Sequence, residues 1–157
     1  MFIAPCLAVL ALLPAPKIDS FEATLKATSY AYKADKDGDY HVELSWDEEK
    51  RSQLVLIRGK GTLITEPKQQ DTTSRELWAV CWQGKEKPSA EIVEKLALKH
   101  YKLGAFQLEK GSSGTWSAYY RVDVPEDAPA SFLRQAIRIT AEAADDMEKE
   151  LLGTDDF

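Results

Sequence analysis

The segment Glu76-Leu77-Trp78-Ala79-Val80-Cys81-Trp82 constrains the fold more than any other. Strand alternation puts Leu77, Ala79 and Cys81 on one side and Trp78, Val80 and Trp82 on the other. A strand that is apolar on both sides belongs inside a sheet and needs cover on each face. Gln53-Leu54-Val55-Leu56-Ile57-Arg58 reads the same way, with an expected continuation through Thr62-Leu63-Ile64. Tyr40 to Trp46 alternates cleanly instead. Tyr40, Val42, Leu44 and Trp46 share one side, as in a half-buried strand.

Helical signals flank these strands. Asp19 or Ser20 caps a first helix whose stripe is Ile18, Phe21, Leu25, Thr28 and Tyr32. It should stop near Tyr32–Ala34, before the turn Asp35-Lys36-Asp37-Gly38-Asp39, where Asp37-Gly38 signals a hairpin. Glu66 to Ser74 is expected to be a polar loop. Ser89 caps a second helix running to about Leu103, with Gly104 as its C′ residue and Ile92, Val93, Leu96, Ala97 and His100 facing inward. Ala105–Lys110 and Thr115–Val124 read as strands joined by Gly111-Ser112-Ser113-Gly114. Asp127-Ala128-Pro129 opens a last helix that stops at Gly153. Its seam is Leu133, Ala136, Ile137, Thr140, Ala144, Met147 and Leu151. The expected fold is α+β, in the order α-β-β-β-α-β-β-α, with a five-stranded antiparallel sheet and flanking helices. Residues 17–157 form a single domain on this reading.

The 157 residues carry 26 acids and 20 bases, a net charge of −6. The whole excess sits in residues 126–157, where nine acids face three bases (Arg134, Arg138 and Lys149). No basic stripe is available to neutralise phosphates, so neither nucleic acid nor an anionic membrane is an expected partner. The two cysteines, Cys6 and Cys81, form no CxxC and no zinc-spaced cluster. Met1–Ala15 is almost wholly apolar but falls short of the about 20 residues a membrane span needs. Residues 1–16 are therefore expected to be a signal peptide, which places the chain in the periplasm or outside the cell, with the cytoplasm second. No stable span remains once that segment is removed.

No catalytic motif stands out. Counted from Asp35, a calcium loop would need glycine where Tyr40 stands and glutamate where Trp46 stands. Gly59-Lys60-Gly61-Thr62 lacks phosphate-loop spacing and reads as a turn. His41 and His100, the only histidines, read as structural. No cofactor, metal ligand or catalytic residue is assigned. The tryptophans are more informative. Trp78, Trp82 and Trp116 all fall on expected strands, and core packing is the first explanation for them. The second is a partner-binding surface, since tryptophan is enriched at interface hot spots. If all three helices cover one sheet face, the other is exposed or buried against a partner or a second copy.

Three segments carry a resemblance. They are Asp37-Gly38-Asp39-Tyr40, then Val122-Asp123-Val124-Pro125 with Ala128-Pro129, and Ala144-Asp145-Asp146-Met147-Glu148-Lys149-Glu150-Leu151 with the final Asp155-Asp156-Phe157. Through them residues 18–157 resemble the YbjN-like family, described as bacterial sensory-transduction regulators with a fold similar to type III secretion chaperones. The resemblance implies a non-enzymatic, homodimeric domain that holds or regulates a polypeptide partner. The acidic last helix would select basic partners. A small-ligand-binding protein of the cell envelope and a carboxylate-dependent enzyme are the alternatives.

Overall fold

The computed structural model describes residues 20–65 and 71–157. The expected signal segment lies outside them. The chain is α+β, as the sequence implies, with three helices on an antiparallel sheet. The elements in order are α1 (Ser20–Ala27), β1 (Lys33–Ala34), β2 (Tyr40–Trp46), β3 (Arg51–Ile57), β4 (Thr62–Ile64), β5 (Thr72–Gly84), α2 (Ala90–Leu98), β6 (Ala105–Lys110), β7 (Trp116–Pro125) and α3 (Ala130–Leu151). The sheet has seven strands rather than five, in the order β1-β2-β3-β5-β7-β6, with β4 paired to β5 off that path. The two additional strands are the short ones. β1 forms where the chain pairs with Tyr40 and His41 before the Asp35–Asp39 turn. β4 is cut from β3 because the backbone turns at Arg58–Gly61. The last residues of the expected loop 66–74 are strand, since β5 begins at Thr72 and pairs there with β4, while residues 66–70 lie outside the described residues.

α3 dominates the packing. Leu133, Ala136, Ile137, Thr140, Ala144 and Met147 are all fully buried, as their spacing predicts. They lie across β3, β5 and β7. Each large side chain buried this way stabilises the fold by roughly 1.5–3 kcal/mol. Pro129 is the N-cap rather than a first-turn residue and makes no side-chain cap bond. The helix ends in a left-handed Gly153 at φ +69°.

The first two helices are shorter than their stripes suggest. α1 ends at Ala27, where the Thr28 hydroxyl donates to the Leu25 carbonyl (2.7 Å) and Ser29 takes a left-handed φ of 67°. Tyr32 therefore leaves the helix and packs edge-on against Tyr40. α2 is capped by Ser89, whose hydroxyl accepts the Ile92 N–H (3.3 Å). It stops at Leu98, because Lys99 is already extended. His100 is consequently exposed rather than inward, and Val93 and Ala97 are exposed as well. Gly104 opens β6 rather than capping α2. A Cβ there would lie 2.3 Å from the Arg121 carbonyl oxygen.

All three helices attach to one side of the sheet. Phe21 and Leu25 of α1, Leu96 of α2 and the α3 seam join one core with Val42, Val55, Ile57, Leu77, Ala79, Tyr120 and Val122. The expectation that Gln53–Ile57 is covered on both faces therefore fails: Val55 and Ile57 are buried, while Leu54 is exposed.

One irregularity redirects β5. Its register with β7 shifts between Val80, opposite Tyr119, and Trp82, opposite Ala118. Cys81 is the extra residue of a β-bulge, so Cys81 and Trp82 both lie on the helix side. Cys81 is fully buried, and burial, followed by the Glu148 charge, pushes its thiol up to about 12. In a Cys6→Ser chain at pH 8, native Cys81 should react with iodoacetamide at least about a hundredfold more slowly than in urea. A native rate within tenfold of the unfolded one would contradict the burial.

Candidate binding face

With the helices on one side, the other side of the sheet is covered by no described helix. Register fixes its layout. Glu43 lies opposite Leu54, His41 opposite Leu56, Leu56 opposite Trp78, Trp78 opposite Arg121, and Val80 opposite Tyr119. The centre is thus an apolar diagonal of Leu54, Leu56, Trp78 and Val80, exposed or half-buried.

Charged groups rim this diagonal. The Arg58 guanidinium stands 4.9 Å from the Trp78 ring centre and 3.7 Å from the Glu76 carboxylate. Arg121 donates to both Glu76 and Asp123 at 2.9 Å. The Asp123 bond, working against burial, holds the Arg121 guanidinium above its ordinary range. Tyr119 donates to Glu109 (3.1 Å), and burial followed by that carboxylate raises its phenol. Arg58, Glu76, Trp78, Glu109, Tyr119 and Arg121 enclose an open depression of about 320 Å³. An aromatic centre with a paired polar rim is the anatomy of a protein interface.

The three candidate anchors do not share this face. Trp78 lies on it. Trp82 follows the bulge to the helix side and packs against the core. Trp116 pairs with Gly84, on the same side as buried Ala118, and Lys110 lies 5.8 Å from its ring centre. The residues the sequence reading missed are Leu54, Leu56 and Tyr119. Leu54 and Leu56 alternate with buried Val55 and Ile57, which was the available signal.

His41 Nε2 lies 3.1 Å from Asp35 Oδ2. Ser45, the next hydroxyl on that side of β2, is ~13 Å further along the strand, beyond hydrogen-bond reach. Two arginines, Arg75 buried and Arg51 largely so, do structural work on the helix side and at its margin. Arg51 donates through Nε to Asp145 (2.6 Å), through Nη2 to Glu148 (3.3 Å) and through Nη1 to the Thr154 carbonyl (2.7 Å). Asp145, Glu148 and Asp155 bring carboxylate oxygens within 4.8 Å of one another, and Arg51 supplies their counter-charge. Glu148 Oε1 also accepts the Asp156 and Phe157 N–H groups (2.5 and 3.2 Å), which seats the tail. Burial still pushes the Glu148 carboxyl up, against those hydrogen bonds and Arg51. Arg75 is buried beside the Phe21 ring (4.3 Å), donates to Glu126 (2.6 Å) and holds the Arg58 and Gly59 carbonyls.

A scan against protein-family models and a search of curated proteins return no match to this chain.

Proposed function

We propose that this chain is a non-enzymatic polypeptide-binding domain, chaperone-like or regulatory, whose partner docks on the open sheet face. The observation that carries the reading is the apolar diagonal around Trp78, left without helical cover among the described residues. The resemblance to the YbjN-like family, and to the type III secretion chaperone fold, is part of the proposal. Its support is the quoted sequence segments themselves, which lie at the turn into β2, the end of β7, and the helix and tail around Arg51. Export through residues 1–16 and a homodimeric state belong to the same reading. Among the described residues no helix is long and apolar enough to cross a membrane.

The test is affinity capture from the native cells with wild-type chain and Trp78→Ser. The reading expects one stoichiometric polypeptide, bound about thirtyfold more weakly by the variant, as for loss of a tryptophan hot spot. The melting temperature should barely change, because Trp78 lies outside the core. Equal capture by both chains, or loss of cooperative melting in Trp78→Ser, would overturn the reading. Sedimentation of both chains decides the other occupant. A wild-type dimer that Trp78→Ser converts to monomer would show that the face is covered by a second copy.

A further inference from the structure

The sheet has an edge that is left unpaired among the described residues. β1 is two residues long and pairs only with Tyr40 and His41. Among the described residues, Val42–Trp46 therefore have a neighbour on one side alone, β3. The hydrogen bond from the Asp35 N–H to the Asp39 carbonyl (2.9 Å) sets the phase of the other side. Odd-numbered residues of β2 aim their backbone groups toward β1, and even-numbered ones toward β3. Glu43 and Ser45 thus present N–H and C=O to the unpaired edge, and both residues are exposed.

Two depressions straddle that edge. One, about 450 Å³, opens on the helix-free face and includes Tyr32, His41 and Leu54. The other, about 400 Å³, includes Leu44, Trp46 and Glu142. Glu43 and Ser45 line both. This is the arrangement that recognises an added strand: main-chain groups at the edge, with a hollow on each side for alternate side chains. The two hollows differ in chemistry. The first has an apolar floor in Leu54, continuous with Leu56 and Trp78. In the second, Arg138 is already held by Glu142 at 2.6 Å. The Glu43 carboxylate lies on the face of the first hollow, opposite Leu54, and among the described residues it has no hydrogen-bond or ion-pair partner. A basic side chain entering the first hollow would find that charge uncompensated.

We infer that the β2 edge takes an extended polypeptide segment in line with β1, with apolar residues alternating with basic ones. This rests on the proposed polypeptide-binding function but assigns it a second surface and a sequence pattern. Basic side chains enter the hollow over Leu54, beside Glu43, and apolar ones the hollow beside Leu44 and Trp46.

The probe is a fluorescein-labelled decapeptide of alternating arginine and valine, titrated by anisotropy against the full chain at 150 mM salt. Its comparators are the alternating glutamate–valine peptide and the arginine–valine peptide N-methylated at every second residue. Wild type and Ser45→Ala should bind the probe in saturable one-to-one fashion. Ser45→Pro, which removes only an edge-facing N–H, and Glu43→Lys should each bind at least about tenfold more weakly. Both comparators should bind weakly, and Trp78→Ser should bind like wild type. Glu43→Lys and the methylated peptide keep the test valid even if Ser45→Pro fails to fold. Full binding by Ser45→Pro, or of the methylated peptide, would overturn strand addition. Loss in Trp78→Ser with Ser45→Pro unaffected would overturn the edge and support the open face. Self-association that Ser45→Pro abolishes would make the occupant a second copy and overturn the peptide. Absence of binding would overturn the edge inference alone, since capture through Trp78 is measured separately.

Discussion

Replacing Arg51 with methionine should lower the unfolding free energy by about 3–5 kcal/mol, the range for breaking one side of a buried ion pair. Arg51 and Asp145 side chains are 9% and 10% exposed and Glu148 is fully buried, so the carboxylates left behind could not be rehydrated without opening the fold. At roughly 2–4 °C per kcal/mol for a chain of this size, the melting temperature should fall by about 6–20 °C. Arg51→Lys should recover little, because one ammonium cannot reach Asp145, Glu148 and the Thr154 carbonyl with the same planar fork. Arg51→Met combined with Glu148→Gln should lose less than the single change, since one stranded charge is gone. Chemical denaturation of the three variants measures all of this. A loss under about 1 kcal/mol would show that the cluster acts as an exposed pair and would sink the account.

Gly59→Ala should cost about 3 kcal/mol, the upper end for forcing atoms into a packed site. A Cβ at Gly59 would lie 1.9 Å from the Gly38 carbonyl oxygen, and this neighbour is backbone that cannot rotate away. The Gly59 N–H donates to Asp39 Oδ1 (2.8 Å), and its carbonyl accepts from Arg75. Pushing the turn outward would therefore also loosen the 35–39 turn and the Arg75 clamp. Gly111→Ala is the control. Its Cβ would meet nothing closer than 3.5 Å, so its midpoint of denaturation should stay near wild type. Equal stability of both variants would mean that the two turns do not pack. The glycine in Gly59-Lys60-Gly61-Thr62 serves close approach of two backbones.

The parts of this fold legible in the sequence are those where one periodicity runs uninterrupted. Tyr40, Val42, Leu44 and Trp46 lie on one side of β2, and the α3 seam is buried where its spacing places it. Local competition shortened the first helix, because the Thr28 hydroxyl takes a backbone carbonyl that periodicity cannot weigh. The Cys81 bulge was invisible for a different reason. An inserted residue changes the side of everything after it, yet leaves hydrophobicity unaltered, so Trp78 and Trp82 looked like one surface. Arg51 and Arg75 carry no local signal in the sequence because their partners lie far away in the chain, Asp145 and Glu148 for one and Glu126 for the other. The β2 edge was hidden by the shortness of β1, which only the ladder reveals.

The bulge has an optical consequence. One strand sends an indole to each side of the sheet, and Trp46 and Trp116 stand on the helix side with Trp82. Trp78 is then the only fluorophore of its kind on the open face. A chain retaining Trp78 alone would report occupancy of that face, and a chain lacking only Trp78 would report the integrity of the helical layer. The molecule carries two spectroscopically separable windows, divided by a single residue of β5.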